Sequence, residues 1–277
     1  GAGIDVFEVE PATENELFHL PNVVCTPHLG ASTTEAQENV ALQVAEQMSD
    51  YLVKGAVSNA INMPSITADE APRLKPFVKL ADVLGAFVGQ ATESPIKEVE
   101  ILYDGATAQM NTKALTSAAL AGLIRAQVSD VNMVSAPVMA KERGILLSEV
   151  KRDKSGVFDG YIKLTVTTAN QTRSIAGTVF SDGKPRFIQI KGINLDAEVG
   201  RHMVYTTNND VPGIIGILGT TFGNAGVNIA NFQLGRDRPG GNAIALLYVD
   251  EAVDEAVLDK VRAFPQVLSA KSLVFDV

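Results

Sequence analysis

The chain has no tryptophan and a single cysteine, Cys25, among 277 residues. One thiol cannot close an intrachain disulfide, and no paired Cys/His spacing describes a metal site, so a reducing cytoplasm is the expected compartment. Basic residues are also scarce: 23 Lys plus Arg against 32 Asp plus Glu leave a formal charge of -9. Binding a phosphate backbone needs the opposite balance, so nucleic acid is not an expected partner. The sequence holds no run of about 18 apolar residues to span a bilayer, and no basic stretch leading into an apolar core begins it. A membrane is therefore not an expected partner either. With 46% hydrophobic and 20% charged residues the chain has the composition of packed domains, and its length points to two or three of them.

The opening segment Ile4–Phe7 is apolar and strand-like but has no earlier strand to pair with. A short buried strand of a parallel sheet needs neighbours, so the expectation is a chain that begins inside a domain. An acidic loop, Glu8 to Pro21, leads to a second buried strand at Asn22–Thr26. Pro27-His28-Leu29-Gly30 ends it, and Ser32-Thr33-Thr34-Glu35 supplies a capping box with Ser32 as N-cap. The helix that follows carries Val40, Val44, Met48, Tyr51 and Leu52 at helical spacing, which predicts one face packed on a body, and it stops at Gly55. Ala60–Ala71, with its Asn, Ser and Pro, reads as a linker.

The middle of the chain predicts an α+β domain. A helix through Phe77–Val88 precedes a strand at Glu98–Asp104, helices at Lys113–Ala126 and Ala136–Gly144, and strands at Tyr161–Thr168, Thr172–Phe180 and Arg186–Ile190. Ser181-Asp182-Gly183-Lys184 marks a hairpin turn between the last two. The remainder reads as strand 202–208, helix 212–225, strands 227–236 and 242–250, helix 252–263 and strand 266–276, the ferredoxin-like order.

Of three histidines, His28 has the most suggestive setting. It lies just past the carboxyl end of a strand, where open α/β sheets place their ligand crevice, and Glu10 follows the end of the other strand. A carboxylate beside an imidazole orients the ring and favours its protonated form, which suits a general acid/base working near neutral pH. A packing histidine beside an unrelated surface acid is the alternative.

Gly-Ala-Gly-Ile-Asp-Val-Phe-Glu-Val-Glu-Pro at the start, and Asn-Val-Val-Cys-Thr-Pro-His-Leu-Gly-Ala-Ser-Thr after it, resemble the closing motif of the NAD-dependent D-2-hydroxyacid dehydrogenases. Glu35 to Asn39 resembles the long branch of that family that oxidises 3-phosphoglycerate. The resemblance implies an α/β and α+β architecture in four parts. Residues 1–31 would be the end of a doubly wound NAD-binding domain, and 32–64 a helix returning to the substrate-binding domain plus a linker. Residues 65–197 would be an intervening domain of the allosteric substrate-binding type, and 198–277 a βαββαβ ACT domain.

The same resemblance implies His28 as acid/base with Glu10 as its partner, and Asp5, His28, Gly30 and Ala31 beside the nicotinamide of NAD. It implies oxidation of 3-phosphoglycerate to 3-phosphohydroxypyruvate on a route to L-serine. The Gly-rich dinucleotide turn and the substrate arginine would lie upstream of Gly1, so the chain alone is expected to be inactive. In the last domain, Asp210 of Asn208-Asn209-Asp210-Val211-Pro212-Gly213 and Asn228 of Val227-Asn228-Ile229 correspond to residues that hold an amino-acid effector between two such domains. Asn208 occupies a third such position, where relatives often carry an aromatic or imidazole side chain. The resemblance implies L-serine as effector and a homo-oligomer. Asp210 as a simple helix cap is the alternative. Arg186, Lys191 and Arg201 form either an anion site or a solvated face. For the whole, the alternatives are a non-catalytic amino-acid sensor or another D-2-hydroxyacid dehydrogenase. Retention of both Glu10 and His28 argues against the sensor.

Overall fold

The computed structural model describes residues 1–153 and 156–277. They form two compact units, Gly1–Asn59 with Ser65–Ala68, and Ala60–Pro64 with Asp69–Val277.

In the first unit β1 (Ala2–Ile4) and β2 (Val23–Cys25) pair in parallel, with Ile4 opposite Cys25. β1 ends three residues before the expected limit at Phe7, because the Asp5 carbonyl accepts the His28 N–H at 2.9 Å. The chain there bonds to the turn after β2 instead of continuing the ladder. α1 (Thr34–Lys54) starts one residue later than the capping box implied. Thr33, not Ser32, is the N-cap, its Oγ1 accepting the Ala36 N–H at 3.1 Å. Gly55 closes the helix in the left-handed region at φ 73°, its N–H reaching the last carbonyls. The apolar face of α1 departs from expectation. No residue of α1 is buried, and Val44, Met48, Tyr51 and Leu52 are all exposed, since nothing within this unit covers the stripe.

The second unit opens with α2 (Ala71–Ala91), which carries Pro in its first turn, where a missing N–H costs nothing. Its stripe Leu80, Leu84, Phe87 and Val88 is buried, as its spacing predicts. It crosses α3 (Thr112–Arg125) at very short range: a Cβ on Gly85 would stand 2.0 Å from the Ala119 carbonyl oxygen. Only glycine permits that approach. These helices pack with a six-stranded sheet ordered β4-β3-β5-β6-β7-β8. Its strands are β3 (Ile96–Gly105), β4 (Leu146–Arg152), β5 (Gly160–Thr168), β6 (Thr172–Val179), β7 (Pro185–Ile190) and β8 (Ile193–Glu198). α4 (Ser135–Glu142) leads through Gly144, at φ 69°, into β4, which runs parallel to β3.

β4 and β8 were not anticipated. Both are edge strands. Leu146 and Leu147 of β4 are exposed, so the alternation that reveals a half-buried strand is missing there, whereas β8 does alternate, with Ile193 and Ala197 buried and Asn194 and Asp196 exposed. The last segment follows the expected order: β9 (His202–Asn209), α5 (Ile214–Asn224), β10 (Ile229–Arg236), β11 (Asn242–Val249), α6 (Glu255–Arg262) and β12 (Val267–Val274). Its sheet is antiparallel, ordered β10-β11-β9-β12, over a core of Val204, Leu218, Phe222, Leu247, Leu258 and Val261.

An aromatic cluster joins this sheet to α2. The Phe87 ring lies 5.1 Å from Tyr205 and 5.5 Å from Phe187, which in turn stands 5.9 Å from Phe275. Gln90 extends the joint by hydrogen-bonding the edge of β12, donating to the Val274 carbonyl at 2.9 Å and accepting its N–H at 2.8 Å. Both backbone groups of Val274 are thereby satisfied by one side chain.

Candidate active site

The site in the first unit is built from the turn after β2 and the two residues that face it from beyond β1. Asp5 organises the turn. One carboxylate oxygen accepts the Thr26 hydroxyl at 2.5 Å and the Leu29 N–H at 2.7 Å; the other accepts the Gly30 N–H at 2.7 Å. The Thr26 bond, followed by the one from Leu29, holds the Asp5 carboxyl below its ordinary pKa. With these contacts in place His28 adopts φ 60°, a left-handed conformation that non-glycine residues rarely take. Such strain persists only where neighbouring bonds over-determine the backbone, as the Asp5 contacts do here.

His28 Nδ1 meets Glu10 Oε2 at 2.6 Å, and the other Glu10 oxygen accepts the Phe7 N–H at 2.9 Å. Glu10 is thus fixed through a backbone donor and in turn fixes the ring. The Glu10 hydrogen bond and charge raise the His28 pKa above its ordinary value, while the His28 hydrogen bond, with Phe7 behind it, lowers that of Glu10. With Nδ1 committed to Glu10, Nε2 is left to exchange a proton with a third group. The pair borders a cleft of about 710 Å³ whose walls include Phe7, Pro11, Phe18 and Cys25. Phe7 and Phe18 meet edge to face at 5.4 Å. Cys25, expected to be buried, is half-buried and lines the cleft.

The pairing of His28 with Glu10 follows the sequence reading. Ala31 and Gly30 lie in a single helical turn, Gly30–Ser32, directly after the pair. The clamp by Asp5 was not anticipated, because the contacts span 21 to 25 positions and leave no periodic signal.

Residues 1–30, which hold Asp5, Glu10, His28 and Gly30, match the NAD binding domain of D-isomer specific 2-hydroxyacid dehydrogenase. Residues 73–191 match the D-3-phosphoglycerate dehydrogenase intervening domain. The D-3-phosphoglycerate dehydrogenase of Bacillus subtilis is 38% identical over 98% of this chain and 52% of its own length. Those of Synechocystis sp. and Methanocaldococcus jannaschii are 37% and 35% identical over 94% and 96% of the chain, and 48% and 51% of their own lengths. The chain is thus similar to D-3-phosphoglycerate dehydrogenases along nearly all of its own length. It spans about half the length of the curated relatives it matches.

The second group of candidate residues lies around the last sheet. Asp210 Oδ2 accepts Arg236 Nη1 and the Gly240 N–H, each at 2.9 Å. These contacts, Gly240 first, keep its carboxyl below the ordinary range. Asp210 does not cap α5: Gly213, at φ 95°, holds the N-cap position and no side chain caps the helix. Asn228 donates to Asp250 Oδ2 at 2.7 Å. Asn208 is fully buried; its amide donates to the Asn209 carbonyl at 2.9 Å, and its Oδ1 has no partner among the described residues.

Asp210 and Asn228 are not brought together. Asn209 pairs with Asn242 at one end of β11, whereas Ile229 pairs with Val249 at the other. Eight residues of strand separate the two ends, on the order of 25 Å. Of the candidate bases of the middle segment, Arg186 and Lys191 stand toward opposite ends of β7. Arg186 is taken up by Asp182 and Glu198, each at 3.2 Å, and Lys191 lies past the far end of β7.

Proposed function

We propose that the chain is the acid/base and regulatory part of an NAD-dependent D-3-phosphoglycerate dehydrogenase. The carrying observation is the His28–Glu10 ion pair at 2.6 Å, held beside a cleft at the ends of two parallel strands. Asp5 fits a place beside the nicotinamide: three donors fill three of its roughly four lone-pair sites, leaving about one acceptor site for a carboxamide N–H. Asp5, Gly30 and Ala31 would hold that end of NAD, which when bound supplies the hydride acceptor. His28 Nε2 takes the C2 hydroxyl proton of 3-phosphoglycerate as the hydride leaves C2, giving the ketone of 3-phosphohydroxypyruvate. In reverse, the imidazolium returns that proton. Glu10 orients the ring and favours the imidazolium.

The test is a chimera of this chain with the amino-terminal half of the Bacillus subtilis relative. It is expected to form NADH from 3-phosphoglycerate, and His28→Asn is expected to slow turnover by about 10²-fold or more. Turnover within a few-fold of the parent after His28→Asn would sink the acid/base assignment.

The regulatory part of the reading takes residues 65–197 as the intervening domain and 198–277 as an ACT domain binding L-serine in a cytoplasmic homo-oligomer. Because Asp210 and Asn228 stand at opposite ends of the sheet, one small ligand reaches both only across two copies. β10 is an edge strand, and antiparallel pairing with β10 of a second copy would set Asn228 near that copy's Asp210. Calorimetric titration with L-serine tests this: saturable binding lost in Asp210→Ala and in Asn228→Ala is expected, and absence of binding would overturn it.

A further inference from the structure

The effector reading gives no role to the arginine that holds Asp210. Arg236, at the end of β10, spends a single N–H on Asp210 Oδ2, an oxygen already shared with the Gly240 N–H. Its side chain is 55% exposed, and a guanidinium has five N–H donors. The other Asp210 oxygen has no hydrogen-bond partner among the described residues and is not sealed from the surface. The loop therefore presents a carboxylate oxygen and a guanidinium edge side by side, both with unused hydrogen-bonding capacity. The uncapped first turn of α5 lies three residues beyond Asp210.

Resting on the effector reading, we propose that Arg236 is its specificity residue: the Asp210–Arg236 pair reads a zwitterion, Asp210 taking the ammonium and Arg236 the carboxylate of an α-amino acid. A lone Asp would attract any amine. Beside Arg236 its charge is largely cancelled at a distance, so a bare amine gains little and is repelled by the guanidinium. An α-amino acid carries its two charges a few bonds apart and meets opposite charge at both ends. A simple carboxylate is repelled by Asp210 for the same reason. The N–H groups at the start of α5 add to the field that favours the carboxylate end.

The experiment compares L-serine with ethanolamine, which lacks only the carboxylate, by calorimetry on the 277-residue chain. The parent is expected to bind L-serine at least about tenfold more tightly than ethanolamine, as a charged hydrogen bond allows. In Arg236→Met that ratio is expected to fall toward one, through weaker serine binding with ethanolamine unchanged or improved. Arg236→Lys is expected to recover part of the ratio. A serine-to-ethanolamine ratio that Arg236→Met leaves within about twofold of the parent, or tighter serine binding in that variant, would overturn the role of Arg236 alone. Failure of the parent to bind L-serine, or serine binding that survives Asp210→Asn, would overturn the effector reading beneath it.

Discussion

At His28, two influences meet in one residue: a backbone forced to φ 60° by the Asp5 contacts, and a ring fixed by Glu10 at 2.6 Å. The raised His28 pKa means that the pair favours the folded state fully below the ordinary imidazole value. That contribution is lost as pH rises through the raised folded value. Glu10 acts with the opposite sign: its contribution is present above the ordinary carboxyl value and fades as pH falls through the lowered one. Glu10→Gln is expected to lower the His28 pKa toward its ordinary 6.5, read by NMR titration of the ring protons. No change would mean that the ion pair does not form in solution. In the chimera the same substitution moves the rise in oxidation rate to lower pH, since His28 must be unprotonated to act as base. Asp5→Ala removes the acceptor of the Leu29 and Gly30 N–H groups. Their hydrogen exchange is expected to quicken by about tenfold or more, and unaltered protection would show that Asp5 does not hold the turn.

Among the elements, α1 and α2 have similar apolar spacing and opposite fates. Leu84 of α2 is fully buried, so Leu84→Ala is expected to cost about 2–5 kcal/mol in urea denaturation. Val44 of α1 is 47% exposed, and Val44→Ala is expected to change stability by less than about 0.5 kcal/mol. A large loss at Val44 would mean that the α1 stripe is covered in solution. Periodicity reported the stripe correctly in both helices, but it carries no information on what lies opposite. The same limit explains the edge strand β4, whose pairing satisfies backbone groups without a buried alternating face; β8 has such a face in Ile193 and Ala197. The strands that were legible, such as β5 with its regular alternation, have one face on the core.

For the whole molecule, the joint formed by Phe87, Phe187, Tyr205 and Phe275 places the six-stranded and four-stranded sheets in one compact unit. Phe87→Ala is therefore expected to destabilise both sheets together, by about 3–5 kcal/mol of unfolding free energy. Two separated transitions, only one of them shifted, would show that the sheets melt independently. The amino-acid sequence alone determined the order of the elements other than β4 and β8, the ferredoxin-like segment, the capped ends at Gly55 and Gly144, and the candidacy of His28 with Glu10. Those features rest on local chemistry: hydrophobic period, glycine at positive φ, and a motif of adjacent residues. Tertiary structure decided the rest. The Asp5 clamp, the glycine-permitted crossing of α2 and α3, the exposure of α1, the capture of Asp210 by Arg236 and the separation of Asp210 from Asn228 all depend on residues distant in the chain. Their contacts obey distance and charge in space, to which no spacing along the sequence corresponds.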